Sequence, residues 1–168
     1  MCDGETLDES LAFIGETIER FGWAVQGVAG ESPRSSWAYT IGLIESHGHA
    51  ELVISGVAVE EAARMLNSMA QDIANGEEYK PGELVGFEDG VAARLVNVHP
   101  SYFSTDKFAM WFNYYAEVGY GERPEFRQAA ILDPRYCELH QRDTGWLDRP
   151  AATRRTGVPK RRPKRRRK

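Results

Sequence analysis

The run "WAYTIGL", Trp37 to Leu43, restricts this chain more than any other stretch. Its aromatic and β-branched residues specify a strand, and strand side chains alternate between two faces. Trp37, Tyr39 and Ile41 therefore share one face, while Ala38, Thr40 and Gly42 share an unusually small one. A face of small residues admits either a closely packed helix or the floor of a ligand pocket. Gly42 in mid-strand marks a place where another group approaches the backbone.

The neighbouring segments say what such a strand packs with. "TLDE" forms a capping box, Thr6 as N-cap and Glu9 three residues on. Leu7, Leu11, Ile14, Ile18 and Phe21 follow at helical spacing on one face, and Gly22 supplies the stop. "WAVQGVAG" reads as a short strand. After a turn over Ser46–His49, "ELVISGV" reads as another. "VEEAARMLNSMAQDIANG" is a second helix, with Ala62, Met65, Leu66, Met69 and Ile73 facing the core. "ELVGFEDGVAARLVNV" is a hairpin turning at Asp89-Gly90. "STDKFAMWFNYYAEVG" is a third helix, capped by Ser104 and stopped by Gly119, and "FRQAAILD" is the last strand.

Strands and helices neither alternate strictly nor segregate. The expected fold class is α+β: an antiparallel or mixed sheet of about five to six strands, packed by about three helices. No Gly-rich phosphate loop follows any strand, and "GVAG" lacks the spacing, so no cofactor is expected. No apolar run is long enough to span a bilayer, and the acidic start "MCDGETLDES" is unlike a secretory signal. Cys2 and Cys137 have no metal-like spacing, and a reducing, cytoplasmic setting follows. One globular domain over residues 1–149 and a basic tail over 150–168 are expected.

Several residues carry candidate chemistry. His47, His49 and Glu51 would point to one side of an extended segment, where His-x-His-x-Glu could ligate a divalent metal. Glu51, just before an apolar strand, could equally accept backbone N–H bonds and fasten the loop. His49 with Glu51 or Asp133 would make an acid/base pair, since imidazole titrates near neutrality. Trp111, Phe112, Tyr114 and Tyr115 form either core or a stacking platform. Asn113 and Gln128 are polar residues in apolar settings; if buried, they need partners or line a pocket.

Tyr39-Thr40-Ile41-Gly42-Leu43, then Gly48-His49 and Glu51-Leu52, then Leu66-Asn67, resemble the motifs of the DUF4262 domain, a bacterial family of unknown function. That family has a "YTIGL" strand, a "GHPEL" loop, an apolar strand and a helix with a Leu-Asn pair. Gln128 and Asp133 match its later Gln and Asp, five residues apart. Ala50 stands where the family usually has proline, which implies a less rigid loop. "PRYCELHQRDTGW" replaces its "GRFPW"-like ending. The resemblance covers roughly Leu7 to Trp146 and implies a fold without a reaction. The candidate site that results joins His49, Glu51 and Asp133 as catalytic groups to Tyr39, Thr40 and Gln128 as ligand-binding groups. A small molecule or a protein is the expected partner, with no membrane; a hydrolase built on His49 is the alternative.

The tail is the strongest purely physical signal. Arg154, Arg155, Lys160, Arg161, Arg162, Lys164, Arg165, Arg166, Arg167 and Lys168 give ten positive charges with no acid among them. The residues before Arg154 hold the other eleven Lys and Arg against all 25 acids, a formal charge of −14. Proline and glycine with no apolar anchor beyond Val158 cannot pack a core, and disorder is expected there. Such a run binds polyanions by counterion release, without reading sequence. It could instead lie against its own acidic body, or serve only solubility. A nucleic-acid-associated accessory protein is therefore a further alternative.

Overall fold

The structure, a computed structural model, describes residues 4–104, 106–119, 121, 123–132, 147, 148 and 150. Helix α1 (Leu7–Phe21) begins as the capping box requires. The Glu9 N–H donates to Thr6 Oγ1 at 3.3 Å, and the Thr6 N–H donates to the Glu9 carboxylate at 2.8 Å. Gly22 ends it in the left-handed region. Leu11, Ile14 and Ile18 are buried, but Leu7 and Phe21 are 52% and 55% exposed. The expected five-residue stripe is thus three residues long, because its outer members occupy the first and last helical positions, beyond the packed middle.

Strands β1 (Ala24–Val28), β2 (Trp37–Ile41) and β3 (Glu51–Ser55) pair antiparallel in succession. Between β2 and β3 the chain forms helix α2 (Leu43–His47), closed by Gly48, where a plain turn was expected. Helix α3 (Val59–Ala74) buries the five anticipated residues together with Ala70. Strands β4 (Leu84–Gly86) and β5 (Ala92–Asn97) make the expected hairpin, with Gly90 at φ +78° in its turn. Helix α4 (Ala109–Val118) and strand β6 (Phe126–Ile131) are the remaining helix and strand among the described residues.

The six strands form one mixed sheet in the order β1-β2-β3-β6-β5-β4. Only β3 and β6 run parallel, with Glu51 opposite Phe126 and Val53 opposite Gln128. The sheet has a core on each face. Met65, Leu66 and Met69 of α3 pack with Ala38, Leu52, Ile54, Leu95 and Ala129. On the other face Leu11, Ile14, Ile18 and the α4 aromatics pack with Tyr39, Ile41, Val53 and Phe126. The alternation along β2 thus sends Ala38 to α3 and Tyr39 with Ile41 to α1 and α4. The small face answers to close helix packing.

Helix α4 starts later than its sequence predicts. Two 3-10 turns (Pro100–Ser104 and Asp106–Phe108) precede it, and Phe108 rather than Ser104 occupies its N-cap without a side-chain bond. Tyr39 supplies what the cap lacks, its hydroxyl accepting from the Met110 N–H at 3.2 Å. Gly119 ends the helix as expected. Trp111, Tyr114 and Tyr115 are buried in the core, whereas Asn113 is exposed and needs no interior partner.

Candidate functional site

Of the residues anticipated as one site, Thr40 and Glu51 lie in one place and His49 in another. The first is a sealed junction around Glu51, which is fully buried at the head of β3. One carboxylate oxygen accepts from the Gly42 N–H at 2.8 Å, the Trp111 Nε1–H at 3.3 Å and the Ile44 N–H at 3.5 Å. The other accepts from Thr40 Oγ1 at 2.6 Å and the Leu43 N–H at 3.3 Å. Gly42, Leu43 and Ile44 open α2, and their N–H groups have no partner inside so short a helix. Glu51 thus caps α2 from the following strand. Thr40 completes the junction by accepting the Leu52 N–H at 2.9 Å.

Burial pushes the Glu51 carboxyl up to about 7, against the opposing pull of Thr40, Gly42, Trp111 and Ile44. Gly42 lies one residue beyond β2, at φ +111°, rather than in mid-strand. A Cβ there would stand 3.0 Å from Ile18 Cγ1 and 3.2 Å from the Gly22 carbonyl. The close approach expected of this glycine comes from the end of α1.

Tyr39 and Gln128 are also interior groups. Burial pushes the Tyr39 phenol up to about 12, and its ring stands edge-on to Phe108 and Phe126. The Gln128 amide donates to Ser55 Oγ at 3.1 Å and accepts from the Leu147 N–H at 2.7 Å. The Leu147 carbonyl in turn accepts from the His99 N–H at 2.5 Å, and its side chain is buried. Gln128 and His99 therefore hold Leu147 from its two backbone groups.

The second place is a polar hollow of about 380 Å3 beside His49. The His49 Nε2 accepts from the Tyr79 N–H at 3.0 Å, so Nδ1 carries the proton and donates to the Ala50 carbonyl at 2.7 Å. Burial lowers its pKa, and the nearby positive charge of Arg127 adds to the effect. A neutral imidazole with both nitrogens engaged positions the Tyr79 loop. The Tyr79 hydroxyl donates to Asp72 at 2.7 Å, and its carbonyl accepts from Arg127.

Arg127 and Glu77 with Glu78 are the charged groups of the hollow; His47 and the glycines Gly48 and Gly76 edge it. The Arg127 side chain is only 14% exposed and pairs with Glu125 at 3.3 Å. Among the described residues its buried Nε has no hydrogen-bond partner. Arg127 was not among the expected site residues; its signal in the sequence is a lone cation inside the apolar strand "FRQAAI". Alternation puts it on the face opposite Gln128.

His49 and Glu51 thus direct their side chains to different partners and make no bond to each other. Among the described residues no group of three or more His, Cys, Asp or Glu is placed to hold a metal ion. No helix among them is long and apolar enough to cross a membrane. Asp133, both cysteines and the basic residues from Arg154 to Lys168 lie outside the described residues.

Residues 17–135 match the family model of DUF4262, a domain of unknown function. The chain belongs to the DUF4262 family. No curated protein and no solved structure matches it. The DUF4262 motif residues now have physical roles. Thr40, Gly42 and Glu51 build the sealed junction, Tyr39 receives the Met110 N–H at the start of α4, and His49 holds the Tyr79 loop. Leu66 is core, while Asn67 accepts from the Trp23 indole N–H at 3.0 Å.

Proposed function

We propose that this DUF4262 domain is a small-molecule binding module whose ligand sits in the hollow beside His49. The observation that carries this reading is Arg127. A guanidinium has five N–H donors; one Nη1 hydrogen goes to the Tyr79 carbonyl and one Nη2 hydrogen to Glu125, Nε is closed off, and the other two Nη hydrogens have no partner among the described residues. A nearly buried cation with donors to spare, beside a hollow of about 380 Å3, supplies what a polar ligand needs. Tyr39, Thr40, Glu51 and Gln128 serve it as scaffold, fixing the strands and α2 on which the hollow is built.

A screen of small polar fragments against the full chain, read by amide shifts in NMR, tests the reading. Signals of Gly48, His49, Gly76 and Arg127 should move together for at least one fragment. Shifts confined to other surfaces, or none at all, would refute it. The engagement of both His49 nitrogens supports a positioning role over hydrolysis with Glu51 or Asp133.

A second reading rests on the ten basic residues from Arg154 onward, which suit non-specific, salt-sensitive attachment to nucleic acid. The −14 body would repel the same polyanion, so the tail would tether without reading sequence. A chain ending at Thr153 should lose retention on DNA-cellulose at low salt. Equal retention of both chains would rule the tail out.

A further inference from the structure

Charge bookkeeping in the hollow narrows the ligand further, given that the hollow is a ligand site. Among the described residues its one fixed cation is Arg127, while two carboxylates, Glu77 and Glu78, line it as well. His49 is held neutral by its two backbone partners, so it does not offset the excess acid. Glu78 approaches Lys80 at 3.7 Å on the exposed side, whereas the Glu77 carboxylate has no ion pair or hydrogen bond among the described residues. A ligand carrying only negative charge would meet Arg127 but face a local excess of acid. A ligand carrying only positive charge would set a second cation against a guanidinium that is only 14% exposed. Only a molecule with both signs satisfies both ends.

We infer that the hollow takes a small zwitterion bearing a carboxylate and an ammonium group, of the size of an amino acid or a dipeptide. The carboxylate accepts from the Arg127 Nη hydrogens that Tyr79 and Glu125 leave unused, in the charge-assisted geometry that a guanidinium provides. The ammonium is held by Glu77, with Glu78 beside it. Ile73 is the apolar wall, and Gly48 and Gly76 leave the mouth clear of side chains; a Cβ at either would meet nothing within 4 Å. The open mouth and the short apolar wall favour a ligand with little side chain of its own.

The test uses the full chain and three probes: glycylglycine, its N-acetyl derivative and its C-terminal amide, with glycine as a shorter control. Amide shifts of Gly48, Gly76 and His49 report occupancy. Glycylglycine or glycine should shift them in a saturable way, and each blocked form should bind about tenfold more weakly or worse, the loss expected for one charge-assisted contact. The Glu77 side chain is exposed and makes no hydrogen bond or ion pair among the described residues, so Glu77→Gln should weaken glycylglycine by a similar factor without moving the thermal midpoint. If a blocked form binds in the hollow as well as the zwitterion does, the zwitterion inference fails while the ligand-site reading stands. If neither the zwitterions nor any polar fragment shifts those signals, both fail. Loss of binding in Glu77→Gln together with a lowered midpoint would show a structural role for Glu77 and overturn the assignment of the ammonium to it.

Discussion

Replacing Glu51 by glutamine isolates the cost of sealing a carboxylate inside this fold. The side chain keeps its shape but can no longer ionise. In the wild type, burial raises the carboxyl from 4.5 to about 7. Between those two values the folded chain binds a proton that the unfolded chain has released, so stability falls as pH rises through that window. Below pH 4.5 the carboxyl is neutral in both states and contributes no slope. At about 1.4 kcal/mol per unit, a rise of about 2.5 units amounts to about 3 kcal/mol lost by pH 7. That is a large part of the 5–15 kcal/mol that holds a typical domain of roughly this size.

The glutamine NH2 meets the donors of Leu43 and Thr40 at every pH, which adds a constant offset. The measurable quantity is therefore the difference between wild type and Glu51→Gln in urea unfolding free energy, taken from pH 4 to pH 8 at fixed ionic strength. The other titrating groups cancel in that difference. The variant should gain on the wild type by about 3 kcal/mol across the window. Parallel curves would mean that the five donors keep Glu51 ionised throughout, and that desolvation does not dominate there.

Three further outcomes follow from the packing and the hydrogen bonds. Gly27 on β1 faces Val59 at the start of α3, and a Cβ there would overlap Val59 Cγ1; Gly27→Ala should cost about 1–3 kcal/mol in thermal unfolding, and an unchanged midpoint would mean that α3 stands farther off. Leu147→Ala should cost about 2 kcal/mol or more and speed amide exchange at His99, since Leu147 is buried and bonded on both sides; unaltered exchange would show that Gln128 holds nothing there. The His49 ring should titrate below its ordinary 6.5 by NMR, and its contribution to stability should be kept above pH 6.5 and lost as pH falls, because the unfolded chain takes up the proton first; a midpoint at or above 6.5 would contradict its burial.

What the sequence disclosed was whatever a local pattern decides. The Thr6–Glu9 box, the apolar spacing of α3 and the Asp89-Gly90 turn each act within a few residues. Helix α2 escaped because its cap is Glu51, which arrives from the next strand; "LIESH" alone has no signal to start there. The start of α4 escaped for the same reason, since its N–H partner is a tyrosine on β2. Glu51 as a fastener of backbone N–H groups was among the sequence alternatives, and the structure gives it that environment. The gathering of His49 with Glu51 was not legible in either direction. It depends on how the chain turns between Gly48 and β3, and Ala50 carries no instruction about that. Arg127 enters the hollow only because β6 pairs beside β3, a contact between residues far apart in the chain.

That pairing also sets an order of events. Each antiparallel neighbour in the sheet is reached after a modest excursion, except where β3 and β6 meet side by side, with Glu51 opposite Phe126. Closing so long an excursion is entropically dear and slow compared with zipping a hairpin. The two flanks of the sheet can therefore assemble on their own before this central seam shuts. Both the hollow at Arg127 and the clasp at Gln128 straddle the seam, so neither can form before it closes.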